Sequence, residues 1–251
     1  MVHIVGAGSG ATDLITVRGA RLLSEADVII YAGSLVNPEL LSYAKEGCEI
    51  HNSATMTLDE VIEVIEKAEA EGKTTVRLHT GDPSIYGAIR EQMDRFDELK
   101  IDYDICPGVS SFCGAAAALK AEYTLPDVSQ SVILTRMEGK TGVPEKESIR
   151  SFAQHHATMI IFLSMSLLDR LSEELIAGGY SADTPAAIVY KATWPDEKVM
   201  HCTVSTLAQT AAENKVTKTA LIIVGDFLGD KYSLSRLYAD DFSTEFRQAK
   251  R

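Results

Sequence analysis

The feature that most constrains this fold is the alternation of short apolar segments with helical patterns along nearly the whole chain. Strands that alternate with helices in this way are typical of parallel α/β architecture. The pattern predicts five strands in each half. They are Val2–Val5, Val28–Tyr31, Glu49–His51, Thr75–His79 and Tyr103–Cys106, then Ser131–Arg136, Met159–Leu163, Ala187–Tyr190, Val199–Val204 and Ala220–Val224.

Several helices between these strands have readable ends. Asn37 followed by Pro38 predicts an N-cap with proline at the first helical position. Thr57 and Glu60 have the spacing of a capping box, and Gly72 closes the helix that follows. In the second half, helical patterns lie near Glu147–His155, Leu167–Ala177 and Thr206–Asn214.

The alternation starts afresh near Ala116–Pro126, where a run of small residues gives way to Thr124–Asp127, and 251 residues are enough for two domains. We therefore predict an N-terminal α/β domain over residues 1–117 and a C-terminal α/β domain over residues 118–233. A charged, partly helical tail over residues 234–251 follows. Each domain is expected to contain a five-stranded sheet.

Composition excludes several classes of protein. The net charge of −12 disfavours binding to nucleic acid or to anionic membranes, which both reward clustered positive charge. No apolar run approaches the roughly 20 residues of a membrane span, and the first residues do not resemble a signal peptide. The four cysteines contain no C-x-x-C pair, which argues against a metal site or a disulfide framework. We expect a cytoplasmic protein.

Glycines follow the first strand, in the segment Gly6–Ala11. Taken alone, this segment satisfies a loose dinucleotide-binding fingerprint. Such a site requires an acidic residue at the end of the second strand to hold the ribose, but that strand ends in Tyr31 and Ala32. A nicotinamide-dependent reductase is therefore an alternative with weak support. The glycines otherwise indicate a tight turn that leaves room for a ligand.

Two further segments follow strands, at the sheet edge where open α/β proteins bind their ligands. One is the Gly-Asp-Pro turn, Gly81–Pro83; the other is Pro107–Ser111. The first could also be a structural turn with Asp82 as a cap, and the second could be a serine N-cap. Trp194 could stack on a substrate ring or pack within a hairpin.

These segments, taken in order and with their spacing, resemble the tetrapyrrole methylase family. The resemblance rests on the glycine segment leading to Leu14–Gly19, on the Gly-Asp-Pro turn and on Pro107–Ser111. Other segments resemble the branch that methylates carbon 11 of precorrin-4, and together they cover nearly the whole chain. They are Tyr31–Val36, Gly81–Gln92, Gln130–Arg136 and Tyr190–Lys198. Ser9 stands where the family usually has proline.

The resemblance implies a homodimer of chains with two α/β domains and an active site in the cleft between the domains. It implies S-adenosylmethionine as cofactor, with S-adenosylhomocysteine as product. The tetrapyrrole substrate would be precorrin-4 or cobalt-precorrin-4, on the route to cobalamin. Position by position, the cofactor contacts would be Ser9, Thr80, Gly81, Asp82, Ile85, Ser110 and Ser111 from the first half and Leu163, Ala187 and Ala220 from the second.

Methyl transfer of this kind needs no metal and no covalent nucleophile, because the cofactor carries the reactive group. Asp82 and His79, beside the Gly-Asp-Pro turn, are the candidate catalytic residues if a proton must be taken. The substrate carries several carboxylates, which arginine pairs with well. Arg18, Arg90 and Arg136 are the candidate substrate-binding residues, since each lies near a strand end or the helix that the strand feeds.

Three other functions remain open beside this one. A member of the same family could methylate another carbon of the macrocycle, or the modified histidine of elongation factor 2. A nicotinamide-dependent reductase would show cofactor-dependent absorbance. A tetrapyrrole carrier would bind the macrocycle without S-adenosylmethionine.

Overall fold

A computed structural model describes residues 1–250. By their internal contacts these residues form two units. The first contains Met1–Ala115 together with Lys191–Glu197, and the second contains Ala116–Tyr190 and residues 198–250. The domain limits given above stay a prediction.

The first unit contains five strands and the helices that connect them. The strands are β1 (Val2–Gly6), β2 (Val28–Tyr31), β3 (Glu49–Asn52), β4 (Thr75–His79) and β5 (Tyr103–Cys106), and the helices are α1 (Val17–Glu25), α2 (Leu58–Ala70), α3 (Arg90–Leu99) and the start of α4 (Ser111–Leu119). The five strands form one parallel sheet in the order β3-β2-β4-β1-β5. All five carboxyl ends therefore lie at one edge, with β1 between β4 and β5.

Local capping explains where two helices of the first unit begin. The capping box of α2 is confirmed: the Thr57 side chain accepts from the Glu60 N–H, and the Glu60 side chain accepts from the Thr57 N–H. At α1, the Thr16 hydroxyl accepts from the Gly19 N–H at 3.0 Å. Asn37 is also an N-cap, but the element after it is a 3₁₀ helix, Pro38–Tyr43.

The second unit holds a second five-stranded sheet in the order β6-β7-β10-β8-β9. Its strands are β6 (Val132–Arg136), β7 (Thr158–Phe162), β8 (Pro185–Tyr190), β9 (Lys198–Thr203) and β10 (Ala220–Val224), and its helices after α4 are α5 (Ile149–Ala153), α6 (Leu168–Ala177) and α7 (Leu207–Glu213). Two α/β units with five strands each confirm the predicted fold class. Residues 231–250 of the tail contain one short 3₁₀ helix, Arg236–Tyr238.

The expectation of parallel strands throughout is wrong for this second sheet. Only β6 and β7 are parallel, while β10 is antiparallel to β7 and β8, and β9 is antiparallel to β8. The reason lies in one connection: seven residues, Lys191–Glu197, join β8 to β9. A parallel crossover needs a dozen or more residues, so this connection permits only a hairpin.

Each unit has its own apolar core. In the first unit, helices pack on both faces of the sheet: one core contains Leu22 and Leu23 of α1, and the other contains Ile62 and Ile65 of α2. In the second, one cluster joins α5, α6 and α7 to the sheet. Among the described residues, no helix has both the length and the apolar character needed to cross a membrane.

Candidate active site

Three loops meet at the carboxyl edge of the first sheet, after β1, β4 and β5. Gly8, after β1, and Gly81, after β4, exchange backbone hydrogen bonds of 3.2 and 3.0 Å and form an isolated antiparallel bridge. The Ala7 N–H also donates to the carbonyl oxygen of His79 at 2.7 Å. Both glycines have positive φ, +83° and +62°. The glycine loop, residues 6–11, is thus fixed to the Gly-Asp-Pro turn through the backbone.

Two glycines, Gly6 and Gly108, allow these loops to pack backbone against backbone. A Cβ on Gly6 would lie 2.6 Å from both the Gly108 Cα and the Gly81 carbonyl oxygen. A Cβ on Gly108 would overlap the same oxygen. Gly81 differs, because a Cβ there would meet nothing closer than the Ser110 Cα at 3.4 Å. The space at Gly81 would therefore accept a single methyl group in ordinary contact with Ser110, whereas at Gly6 and Gly108 a Cβ would overlap backbone atoms.

Asp82 connects two of the three loops. Its Oδ2 accepts from the Gly108 N–H at 2.9 Å, and its Oδ1 accepts from both the N–H and the hydroxyl of Ser84. Partial burial alone would raise the pKa of Asp82, but these hydrogen bonds outweigh it, so the pKa lies below its usual value. The carboxylate is therefore ionised at neutral pH and positions the loops. The catalytic role assigned to Asp82 stays a prediction.

The substitution Asp82→Asn tests the hydrogen bonds of this carboxylate directly. One of the two oxygens becomes an NH₂ group, which must face either the Gly108 N–H or the Ser84 N–H, so a donor is left unpaired. We expect the free energy of unfolding to fall by about 1–3 kcal/mol, measured by urea denaturation, and S-adenosylmethionine binding to weaken with it. Asp183→Asn, at an exposed position in the second unit, is the matched control. Equal stability of the two variants would contradict the positioning role.

His79 is the last residue of β4 and is buried. Burial, with a smaller contribution from the positive charge of Arg77, lowers the pKa of His79 to about 3. A histidine with so low a pKa binds a proton poorly, which argues against a general-base role at neutral pH. Its Nε2 has no hydrogen-bond partner within residues 1–250. Its assignment as a catalytic residue stays a prediction.

The structure brings most of the first-half cofactor candidates together. Gly81 lies against Ser110 and Ser111 at the start of α4. One turn further along that helix, Gly114 lies against the Ser9 side chain. The Thr80 hydroxyl is buried and has no partner within the described residues. Ile85 is half-buried in the same loop as Asp82, whose carbonyl oxygen accepts from the Ile85 N–H. These residues form one cluster at one sheet edge.

The second-unit candidates are placed less uniformly. β7 and β10 pair with Ile161 opposite Ile222, so the same register puts Leu163 and Ala220 at one edge of the second sheet. Leu163 is 65% exposed with φ of +53°, an uncommon conformation for a bulky side chain. Ala187 lies inside the sheet, opposite Ile223, and is fully buried. The Ala187 methyl group is therefore not exposed at that edge.

The three candidate arginines differ in their partners. Arg18 is exposed near the start of α1 and makes no hydrogen bond or ion pair within residues 1–250. Arg90 begins α3, separated from the Gly-Asp-Pro turn by an irregular segment, and pairs with Asp94 at 2.8 Å. Arg136 donates to the carbonyl oxygens of Met137, Thr141 and Gly142, and so secures the loop after β6. Of the three, Arg18 is the one whose guanidinium is not engaged by another residue within residues 1–250.

Two contacts to the glycine loop were not predicted from the sequence. The Asn37 side chain, buried after β2, donates from Nδ2 to the Gly10 carbonyl oxygen at 2.8 Å. Thr193, in the segment Lys191–Glu197, accepts from the Ala11 N–H at 3.0 Å. Asn37 was recognised only as a helix cap, and no local pattern points from position 193 to position 11.

Most of the chain, including these loops, matches one known protein family. The family model of tetrapyrrole (corrin/porphyrin) methylases matches residues 1–208, which include both the three-loop edge and Lys191–Glu197. The chain belongs to the tetrapyrrole methylase family. No cluster of three or more metal-ligating side chains occurs in the described part of this family member.

Relatives within the family are similar over nearly the full length. The chain is 54% identical to a cobalt-precorrin-4 C(11)-methyltransferase of Methanocaldococcus jannaschii, over 99% of this chain and 96% of the relative. It is 45% identical to the enzyme of the same name from Priestia megaterium, over 98% and 97%.

Solved structures of the family agree with the fold. A cobalt precorrin-4 methyltransferase of cobalamin biosynthesis superposes with a TM-score of 0.89 and 47% identity, over 91% of this chain and 96% of that one. A uroporphyrin-III C-methyltransferase from Thermus thermophilus, complexed with S-adenosylhomocysteine, gives a TM-score of 0.75 and 25% identity, over 90% and 92%.

Proposed function

We propose that this chain transfers a methyl group from S-adenosylmethionine to carbon 11 of cobalt-precorrin-4 in cobalamin biosynthesis. The observation that carries the proposal is the 54% identity to a cobalt-precorrin-4 C(11)-methyltransferase over 99% of the chain. A relative named precorrin-4 C(11)-methyltransferase, from a Sinorhizobium species, is 44% identical. The higher identity favours the cobalt-containing macrocycle as the proposed substrate. The metal-free macrocycle is the substrate to compare with it in turnover assays.

The three-loop edge fits the cofactor. The buried Thr80 hydroxyl lacks a partner within residues 1–250, and the neighbouring Gly81 lies against Ser110 and Ser111. A buried polar group of this kind favours a ligand that completes its hydrogen bonds. Thr80, Gly81, Ser110 and Ser111 would hold the cofactor, with Ser9, Asp82 and Ile85 as further contacts. Leu163, Ala187 and Ala220 stay proposed contacts from the second unit.

When bound, S-adenosylmethionine supplies an electrophilic methyl group, so the residues of this chain act by binding and orientation. Asp82 fixes the loop after β4 to the loop after β5. The Gly8–Gly81 bridge fixes the loop after β1 to the same turn. Holding reactants in one geometry accounts for a large part of many enzymatic accelerations.

The macrocycle presents several carboxylates, and the chain has a net charge of −12, so local positive charge is needed where the substrate binds. Arg18 supports this role best, because its guanidinium is not engaged elsewhere among the described residues. Arg90 and Arg136 remain proposed contacts, although each already has partners in the structure. A homodimer and a cytoplasmic location remain predictions.

A nicotinamide-dependent reductase gains no support from the glycine loop. The space beside Gly10 is filled by the Trp194 side chain, and Gly6 is packed against Gly108. These glycines therefore do not provide the open backbone that a pyrophosphate requires.

S-adenosylhomocysteine is expected to bind the isolated protein and to raise its melting temperature. A ligand that binds only the native state stabilises it by about 2.7 kcal/mol when present at 100 times its dissociation constant. Isothermal calorimetry and thermal melts measure both effects, with NADPH as the control ligand. Binding of NADPH without binding of S-adenosylhomocysteine would reject the cofactor assignment.

Product analysis tests the rest of the proposal. Mass spectrometry should show the gain of one methyl group on cobalt-precorrin-4, and NMR should place it on carbon 11. Methylation of another carbon would leave the family intact and overturn the branch. Macrocycle binding without any turnover would identify a carrier.

A further inference from the structure

The segment Lys191–Glu197, which we call the strap, lies against the glycine loop of the first unit. The Oγ1 of Thr193 accepts from the Ala11 N–H at 3.0 Å and lies 3.1 Å from the Ser9 Oγ. The Trp194 indole covers Gly10, where a Cβ would overlap the ring. Three consecutive residues of the glycine loop are thus held by two residues of the strap.

The strap itself is cross-linked at several points. The Glu197 carboxylate accepts from the Thr193 N–H at 2.6 Å, and Lys191 pairs with Asp196 at 2.6 Å. The Lys191 ammonium also lies 5.2 Å from the centre of the Trp194 ring. The backbone N–H of Trp194 donates to the Lys191 carbonyl oxygen at 3.0 Å. These contacts fix the strap in one conformation.

That conformation is unfavourable for the residues that adopt it. Thr193 has φ of +68° and Lys191 has φ of +46°, although neither is a glycine. For a β-branched residue such as threonine a positive φ is a true outlier. Strain of this kind persists where surrounding contacts impose it, and it concentrates at functional sites.

We infer that Thr193 is a positioning residue, which holds Ser9 and Ala11 so that the glycine loop keeps the geometry needed for cofactor binding. Glu197 supports it by holding the Thr193 backbone in its strained conformation. The inference deepens the proposed function and rests on it. The hydrogen bonds explain why a threonine is used here, because the Ala11 N–H is partly buried and would lose its acceptor without a side-chain oxygen.

The test compares four variants. Thr193→Val removes the hydroxyl and keeps the shape, Thr193→Ser keeps the hydroxyl, and Glu197→Gln weakens the support. Thr217→Val, at an exposed position of the second unit, is the matched control. Amide hydrogen exchange of Ala11 reports on the loop, and calorimetry with S-adenosylhomocysteine reports on the site.

We expect exchange at Ala11 to be at least about 10-fold faster in Thr193→Val, and S-adenosylhomocysteine affinity to fall about 10-fold, because one lost hydrogen bond corresponds to roughly 1–1.5 kcal/mol. Thr193→Ser should stay within about 2-fold of the wild type, with Glu197→Gln between the two. Should Thr193→Val not fold, the serine and glutamine variants still rank the effect.

Faster exchange with unchanged affinity would overturn the positioning role and leave Thr193 a packing contact. Exchange and affinity equal to those of Thr217→Val would overturn the whole inference. Failure of the wild type to bind S-adenosylhomocysteine would reject the proposed function instead, and the exchange rates would then decide whether Thr193 holds the loop.

Discussion

Gly108→Ala is expected to lower methyl-transfer activity by at least about 100-fold, because a misplacement of about 1 Å in an active site can have an effect of that size. A Cβ at position 108 would overlap the Gly81 carbonyl oxygen and lie 2.8 Å from the Gly6 Cα. Both are backbone atoms, so no side-chain rotation can relieve the overlap. The loop after β5 must move away from the Gly-Asp-Pro turn, and the bond from the Gly108 N–H to Asp82 is then stretched or lost.

The same substitution should destabilise the fold by about 1–3 kcal/mol, the usual range for adding a methyl group to a well-packed interior. Turnover of cobalt-precorrin-4, circular dichroism and urea denaturation separate the loss of activity from unfolding. Gly139→Ala is the matched control, because a Cβ there would meet only the Leu167 Cδ1 at 3.6 Å. If Gly108→Ala retained the activity of Gly139→Ala, the close packing of the three loops would not be needed for function.

The strands of this chain were largely predictable, for a local reason. Runs such as Thr75–His79 and Ala220–Val224 are buried, rich in β-branched or apolar residues and bounded by polar turns, and both have the predicted limits. The α2 capping box was equally readable, since its two partners lie three residues apart. Signals of this kind depend only on neighbours in the sequence.

The prediction of parallel architecture was wrong for the strand directions in the second sheet. Apolar runs look alike in parallel and antiparallel sheets when both faces are covered, and β10 is buried along most of its length. The short connection between β8 and β9 was the one available signal for a hairpin. Its length, rather than any residue in it, excludes a parallel crossover.

The position of the candidate site was predictable, but the way it is held together was not. The glycine loop, the Gly-Asp-Pro turn and Pro107–Ser111 each follow a strand, so parallel topology alone brings them to one edge. The roles within the site depend on contacts between distant residues. Asp82 binds the Gly108 N–H, and Thr193 binds the Ala11 N–H, across 26 and 182 positions. No periodicity or spacing in a single sequence encodes such pairs.

Stability should fall as the pH is lowered from about 6.5 toward 3, with His79 as a principal cause. Its pKa is about 3 in the folded chain against 6.5 for a free histidine, because it is buried and lies near Arg77. Between these two values the unfolded chain binds a proton at this position and the folded chain does not. The unfolded state is therefore favoured as protons are added, and stability rises with pH across the same window.

The expected loss attributable to His79 is about 2 kcal/mol between pH 7 and pH 5, since each unit of pKa difference corresponds to about 1.4 kcal/mol. Urea denaturation of the wild type and of His79→Gln at a series of pH values measures it as a difference. The comparison isolates His79, because every other ionisable group is the same in the two proteins. Gln154→Asn, at an exposed position and with no titratable group involved, should follow the wild-type curve. Should His79→Gln show the wild-type pH dependence, the pKa of His79 would be the same in the folded and the unfolded chain. The argument against His79 as a proton acceptor at neutral pH would then fail as well.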